Sequence, residues 1–168
     1  MTPPIAVVWL SKLAWARMTD EASRTFPLES GGLLMGYAAP GARAVVVTDI
    51  IGPGINAIRT AASFIPDYPF HELEVHRRHQ ESSGQVRYLG DWHSHPDGPS
   101  VLSLKDRRTL HLIGTSREAR VSVPLMVLAC GRPSGWSANA FAGDLVKTLF
   151  GRSRCIAHST RIQLFDPS

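Results

Sequence analysis

The chain alternates between short blocks with the hydrophobic periods of strands and longer blocks with the period of helices. Apolar, often β-branched runs bounded by glycine, proline or polar residues predict strands over 5–10, 31–36, 44–51, 63–65, 85–95, 123–130 and 136–142. Apolar residues at helical spacing predict helices over 11–23, 70–80 and 103–114, and a last helix over 143–150. Because no repeat divides the chain, we expect a single α+β domain.

Composition narrows the class of protein. The 168 residues are 43% apolar and 19% charged, which is typical of a globular domain that folds without disulfide or metal staples. The net charge is +4, but the basic residues are scattered, so we expect no nucleic-acid partner. The N-terminus lacks a basic signal region, and no apolar stretch approaches the roughly 20 residues that span a bilayer. We therefore expect a cytoplasmic protein with no membrane partner.

The two cysteines, Cys130 and Cys155, are too few for a disulfide framework or a four-cysteine zinc site. Metal chemistry is instead suggested by His93 and His95, which are two residues apart on a predicted strand and therefore point to the same face. Asp106 is a candidate third ligand, because the proline- and glycine-rich loop at 96–100 lets the next helix turn fold back. Two histidines and a carboxylate leave a fourth position open for water, as in catalytic zinc sites.

Two further residues complete a candidate hydrolytic site. Glu29, which precedes two glycines at the start of a predicted strand, is the candidate general base, and Ser103 is the candidate hydroxyl donor. Taken singly, each element has an ordinary structural interpretation. A His-x-His pair is commonly two core or surface histidines, Ser103 and Asp106 have the spacing of a capping box, and Glu29 is a loop carboxylate. Only their combination and order favour the catalytic interpretation.

The succession of Glu29, then His93-Ser94-His95-Pro96, then Ser103-x-x-Asp106 resembles the JAMM motif of zinc metallopeptidases with the MPN fold. Seven residues separate His95 from Ser103, as in that motif, and the stretch 27–36 is similar to the family's segment around its catalytic glutamate. The resemblance implies a curved mixed β-sheet flanked by helices. It also implies a JAMM/MPN domain over residues 1–150, with 151–168 as a C-terminal extension.

The resemblance assigns roles residue by residue. It implies that His93, His95 and Asp106 bind one zinc ion per chain. It implies that Glu29 deprotonates the attacking water and returns the proton to the leaving amine, and that Ser103 donates to the oxyanion. Ser94 is expected to point to the opposite face of the strand, in a structural role. The implied activity is hydrolysis of the isopeptide or peptide bond after the C-terminal tail of a ubiquitin-like protein.

The stretches 88–96 and 102–110 resemble more closely the small JAMM peptidases found beside bacterial E1-like and E2-like conjugation enzymes. This implies a ubiquitin-like protein or a CD-NTase conjugate as the substrate, with E1- and E2-like enzymes encoded nearby in an antiphage defence system. The segment 52–69 falls where the family has a substrate-contacting insertion. Two alternatives stay open: a peptidase that processes a sulfur-carrier protein, and a non-catalytic interaction module. A zinc nucleobase deaminase is excluded, because its Pro-Cys-x-x-Cys motif is absent.

Other residues favour structural interpretations. His71, His76 and His79 invite a second metal site, but a polar helix face accounts for them more simply. Trp92 is expected to pack behind the strand that carries the histidines. Asp91 is a candidate hydrogen-bond acceptor whose donor the sequence does not identify.

Overall fold

Seven strands close into a mixed β-barrel against which three helices pack, in a computed structural model that describes residues 4–39, 43–147, 151 and 153–167. The barrel strands are β1 (Val7–Ser11), β2 (Gly31–Ala38), β3 (Ala44–Ile51), β6 (Arg87–Pro96), β7 (Leu125–Arg132), β8 (Gly135–Lys147) and β9 (Ser153–Phe165). A separate hairpin consists of β4 (Ile58–Thr60) and β5 (Ser63–Ile65). The helices are α1 (Lys12–Thr25), α2 (Tyr68–Glu81) and α3 (Leu104–Thr115).

The strand order around the barrel is β1-β3-β2-β6-β7-β8-β9. Pairing is parallel between β1 and β3, β1 and β9, and β6 and β7, and antiparallel between the other neighbours. The predicted α+β class and the mixed sheet with flanking helices are confirmed. The strand β9 pairs with both β8 and β1, so that the curved sheet closes on itself.

The core consists of one main cluster and a smaller cluster beside α3. Ala14, Met18 and Ala22 recur every fourth residue along α1 and are fully buried, so this helix packs one apolar stripe against the barrel. Trp92 is 1% exposed, belongs to the main cluster, and donates its indole N–H to the Ile51 carbonyl at 3.2 Å. This confirms its expected place behind the histidine-bearing strand. Within the described residues, no helix is both long and apolar enough to cross a membrane.

One sequence-based prediction is wrong, and two strands were not predicted. The helix predicted over 143–150 is wrong for 143–147, which continue β8 and pair with β9, while 148–150 lie outside the described residues. The strands β4 and β9 were not predicted, because β4 has only three residues and β9 has a mixed polar sequence. The strand β4 forms by pairing with the adjacent β5, whereas β9 is held by pairing with β8 and with the distant β1, which outweighs its local propensity. The division of the chain at residue 150 stays a prediction, and β9 in the segment beyond it completes the barrel.

The approach of β2 to β6 requires glycine. An ideal Cβ on Gly31 would lie 2.5 Å from the Trp92 carbonyl oxygen and 2.8 Å from the His93 Cβ. An ideal Cβ on Gly32 would lie 1.9 Å from the Ile51 carbonyl oxygen on the other neighbouring strand. Any larger residue would therefore force the strands apart at the point where β6 carries its histidines.

We predict that Gly31→Ala lowers the free energy of unfolding by about 1–3 kcal/mol, the usual penalty for overpacking. The matched control is Gly52→Ala, where a Cβ would meet nothing within 4 Å and the free energy of unfolding should change little or rise slightly. Chemical denaturation of both variants measures the difference. Equal midpoints for the two variants would contradict the packing argument.

Candidate metal centre

The predicted site residues lie together in an open cleft. One wall is formed by the β4–β5 hairpin and α2, with Phe64 and Tyr68 facing the cleft, and the other wall by α3 and the segment before it. All five predicted residues line this cleft: Glu29, His93, His95, Ser103 and Asp106. Because they come from the start of β2, the end of β6 and the start of α3, the fold assembles them from three separate parts of the chain.

The innermost group is a triad of His93, His95 and Asp106. The Nε2 atoms of the two histidines are 3.0 Å apart. Asp106 Oδ1 lies 3.3 Å from Nε2 of His93, and Asp106 Oδ2 lies 3.6 Å from Nε2 of His95. Among the residues that the structure describes, this is the one cluster of histidine, cysteine and acidic side chains arranged to hold a metal ion. The fold therefore brings the three candidate ligands to a single point.

The triad fits a small divalent cation. Two imidazoles and one carboxylate form a donor set of the kind used at catalytic zinc sites. Ligand bonds of about 2.0–2.1 Å in a tetrahedron correspond to donor separations of about 3.3 Å. The separation of 3.0 Å between the two Nε2 atoms and that of 3.3 Å from Asp106 Oδ1 to Nε2 of His93 lie close to this value, and the other carboxylate oxygen lies 3.6 Å from Nε2 of His95. With three protein donors, one tetrahedral position is left for water or substrate.

The loop between β6 and α3 orients His95. The Nδ1 atom of His95 lies 2.9 Å from the Pro99 carbonyl oxygen, which only accepts hydrogen bonds, so Nδ1 carries a proton and Nε2 faces the triad. The Gly98 amide donates to the His95 carbonyl at 3.1 Å, which turns the loop back over the strand. Pro99 thus fixes the orientation of one candidate ligand, and the same loop brings α3 to the site.

A complete capping box at the start of α3 orients Asp106. The Asp106 amide donates to Ser103 Oγ at 3.2 Å, and the Ser103 amide donates to Asp106 Oδ2 at 2.7 Å. The structural interpretation of Ser103 and Asp106 is therefore confirmed, and it is compatible with a second role. Since Ser103 Oγ accepts a bond from the helix, its hydroxyl hydrogen is available to the cleft.

Glu29 lies directly before β2, half-buried, with its backbone anchored on two sides. Its amide donates to the Thr60 carbonyl at 2.9 Å. The next residue, Ser30, donates its amide to Ser94 Oγ at 2.9 Å, and the Ser94 amide donates to the Ser30 carbonyl at 2.7 Å. Ser94 is thus buried and fastens the glutamate segment to the histidine strand, which confirms its structural role. Burial raises the pKa of Glu29, although the nearby His93 and His95 oppose the shift.

The electrostatics of the triad favour a cation. Burial disfavours the charge of Asp106, but its contacts with His93 and His95 outweigh burial and hold the pKa of Asp106 well below its usual range. Burial also opposes charge on His95, but the contact with Asp106 prevails and raises the pKa of His95 to about 10. In the metal-free protein at neutral pH, His95 therefore carries a second proton, on Nε2, in addition to the one on Nδ1. A metal ion that binds Nε2 must displace this second proton.

Sequence reasoning missed several contributors. The contact of the Pro99 carbonyl with His95 could not be predicted from the sequence, because every residue type has a backbone carbonyl that accepts hydrogen bonds. Asp91 was noted without a donor, and the structure supplies Tyr88, whose hydroxyl donates to Asp91 Oδ1 at 2.6 Å. Burial raises the pKa of Asp91 to about 6 in spite of this bond. Of the α2 histidines, His71 Nε2 contacts the Gly52 carbonyl at 2.8 Å and His79 Nδ1 contacts the Val86 carbonyl at 2.9 Å, so each uses one ring nitrogen in a backbone contact.

Comparisons with known proteins agree with this geometry. A family model described as prokaryotic homologs of the JAB domain matches residues 11–141. A Sinorhizobium fredii protein named "Probable metalloprotease" is 39% identical over 142 residues, covering 84% of this chain and 86% of that protein. A CD-NTase/cGAS isopeptidase of Escherichia coli is 29% identical over 71% of this chain and 72% of its own length. One from Vibrio cholerae is 31% identical over 64% and 65%.

The fold also matches a solved structure. The solution structure of a Desulfitobacterium hafniense protein superposes with a TM-score of 0.64 and covers 96% of this chain and 94% of that protein. Its sequence identity is 18%, so this likeness concerns the fold alone.

We predict that metal binding releases close to one proton per ion at pH 7, because the metal displaces the proton of His95. The apparent affinity for Zn²⁺ should then rise about tenfold per pH unit between pH 6 and 8, below the raised pKa of His95. Calorimetry in buffers of different ionisation enthalpy measures the release. His111→Ala, which changes a histidine outside the cleft, should behave like the wild type, and His95→Ala should lose tight binding. Affinity that does not depend on pH would contradict the charge assignment.

Proposed function

The chain belongs to the family of prokaryotic JAB-domain proteins, and on that premise we propose that it is a zinc-dependent isopeptidase or peptidase. The bond it hydrolyses follows the C-terminal tail of a ubiquitin-like or otherwise conjugated protein. The observation that carries the proposal is the meeting of His93, His95 and Asp106 with Glu29 in one open cleft. A structural triad alone would need neither a half-buried glutamate nor access for a protein chain.

The proposed chemistry divides between the ion and the side chains. His93, His95 and Asp106 would hold zinc, which supplies Lewis acidity that polarises a carbonyl and lowers the pKa of water. Glu29 takes a proton from the attacking water and delivers it to the leaving amine. A carboxylate with a raised pKa suits a general base, because it accepts a proton from water more readily than a carboxylate at its ordinary pKa.

Ser103 stabilises the carbonyl oxygen of the substrate as negative charge develops on it. The hydroxyl is held at the first turn of α3 by the Asp106 amide, so its hydrogen is directed without reorganisation during the reaction. The same capping box orients Asp106 toward the histidines. One helix start would therefore position both a metal ligand and an oxyanion donor.

The hairpin suits an extended peptide. Within the described residues β5 pairs only with β4, so its outer edge offers backbone donors and acceptors to a substrate strand. The hairpin lines the cleft with Ala61, Ala62 and Phe64. The two alanine side chains are small and leave room for a narrow tail. We assign the segment 52–69, which includes the hairpin, as the wall that binds the tail.

The relatives from E. coli and V. cholerae, named CD-NTase/cGAS isopeptidases, support a CD-NTase conjugate as the substrate. On this proposal E1- and E2-like enzymes are encoded nearby and the peptidase acts in antiphage defence. The cleavage test uses a CD-NTase extended beyond its C-terminal residue, with a ubiquitin-like and a sulfur-carrier protein extended in the same way. Cleavage of the CD-NTase fusion at the junction supports the proposal. Cleavage of the sulfur-carrier fusion alone would show that the substrate is a sulfur-carrier protein and not a CD-NTase conjugate.

We predict that Glu29→Gln lowers the cleavage rate about 10²–10⁴-fold, because the amide cannot accept the proton of water. Zinc content should stay the same, since the three candidate ligands are unchanged. Glu81→Gln, a matched change on the exposed side of α2, should keep the wild-type rate. Full activity of Glu29→Gln on a fusion that the wild type cleaves would overturn the assigned role.

We predict that Ser103→Ala lowers the rate about 10²–10³-fold, the usual loss for one oxyanion donor. It should also lower the free energy of unfolding by about 1 kcal/mol, because the N-cap is lost. Ser103→Gly separates the two roles, since glycine is tolerated at N-caps but has no hydroxyl. We expect Ser103→Gly to be nearly as stable as the wild type and as slow as Ser103→Ala. A Ser103→Gly variant with the wild-type rate would contradict the oxyanion role and leave Ser103 only its role as the N-cap of α3.

A further inference from the structure

We propose that Arg59 is a positioning residue that holds the β4–β5 hairpin against Glu29 through Glu21 and Ser30, and so sets how tightly the substrate tail binds. The inference rests on the proposed function for its effect on catalysis. The contacts that carry it lie behind the cleft wall, among side chains that the proposed chemistry does not use.

Arg59 lies on β4 with its guanidinium directed into the protein, and its side chain is 21% exposed. Its Nη2 lies 3.3 Å from Glu21 Oε1, and its Nε donates to Ser30 Oγ at 3.2 Å. Its Nη1 donates to the Ala57 carbonyl at 3.5 Å. One planar group thus joins β4 to α1 and to the start of β2, which a rigid fork of donors can do in a single geometry.

Glu21 is the anchor of this contact. Its side chain is only 12% exposed, and it accepts from Ser30 Oγ at 2.7 Å in addition to pairing with Arg59 and Arg24. A carboxylate this far from solvent needs its partners, because an uncompensated buried charge is strongly destabilising. The bond between Glu21 and Arg59 is therefore much less screened than an ion pair on the surface.

Ser30 connects the pair to the candidate catalytic residues. It follows Glu29 directly, and its amide is held by Ser94, the residue between the two histidines. Thr60, the neighbour of Arg59, accepts the hydrogen bond of the Glu29 amide at 2.9 Å. Two successive residues of β4 therefore contact two successive residues at the start of β2, and a displacement of the hairpin is transmitted to Glu29.

The hairpin needs such an anchor. Each of its strands has three residues, and Ile58 and Ile65 are 60% and 46% exposed, so it buries little apolar surface of its own. An isolated two-stranded hairpin is marginal in water. Asp67 holds the segment before β4 through Asn56, at 3.2 and 3.0 Å, but Arg59 grips the strand itself. Loss of Arg59 should thus loosen the wall that we assign to the tail while leaving the triad intact.

The test compares Arg59→Ala with Arg77→Ala, which removes an arginine paired with Glu74 and Glu81 on α2 and outside the cleft lining. We expect KM for the extended protein substrate to rise about tenfold or more in Arg59→Ala, because ordering the hairpin opposes binding. We expect kcat to change less than about threefold, because the bound substrate orders the hairpin and the attached Glu29 segment again, and we expect zinc binding to stay unchanged. Arg77→Ala should match the wild type in all three quantities.

A second measurement does not depend on activity. Hydrogen–deuterium exchange of the metal-free protein should speed up about tenfold in peptides covering 29–30 and 58–65 of Arg59→Ala, and not in Arg77→Ala. Arg59→Lys keeps the charge beside Glu21 and should restore most of the protection and of KM. Glu21→Gln should raise KM as Arg59→Ala does, and the double variant should add little, since both act through one contact.

Unchanged exchange in the hairpin of Arg59→Ala would overturn the proposal, and so would a KM that stays at the wild-type value while exchange rises. If Arg59→Ala unfolds, Arg59→Lys and Glu21→Gln decide the question by the same two measurements. If the wild type cleaves none of the extended proteins, the proposed function fails. The exchange data would still decide whether Arg59 fastens the hairpin to Glu29.

Discussion

The close antiparallel pairing of β2 with β6 is the contact on which the rest of the site depends. It places Gly31 opposite His93 and Gly32 opposite Trp92, so Glu29, just before β2, lies beside the strand that carries both histidines. The absence of side chains at the two glycines allows this spacing. The bonds between Ser30 and Ser94 then fix the register at the end of the pair. The position of Glu29 beside the histidines thus follows from backbone pairing, whereas the loop after β6 brings Asp106 to them.

On this frame, charges are arranged around a point where a cation fits. Asp106 keeps its negative charge in spite of burial, and in the metal-free protein a proton on His95 balances it. The same burial raises the pKa of Glu29, which stands next to the triad without joining it. Their surroundings thereby shift the pKa values of two neighbouring acidic groups in opposite directions. This separation is typical of sites where one carboxylate binds and another transfers protons.

Much of this site follows from local patterns in the sequence. The strand period puts His93 and His95 on one face, and the spacing of Ser103 and Asp106 forms the capping box that orients the third candidate ligand. The strands near the C-terminus do not follow, because residues 143–147 and β9 take their form from pairing with each other. The contact of Arg59 with Glu21 joins residues that are 38 positions apart, so no local sequence pattern predicts it. The sequence thus predicts which reactive side chains are present, whereas contacts between residues far apart in the chain determine how those side chains are positioned.

The most direct test of this account is a crystal structure of the zinc-loaded protein with anomalous data collected on both sides of the zinc absorption edge. We expect one anomalous peak per chain, with Nε2 of His93, Nε2 of His95 and the Asp106 carboxylate at about 2.0–2.1 Å and Glu29 beside the open position. No peak at the triad, or a peak held by other residues, would contradict it.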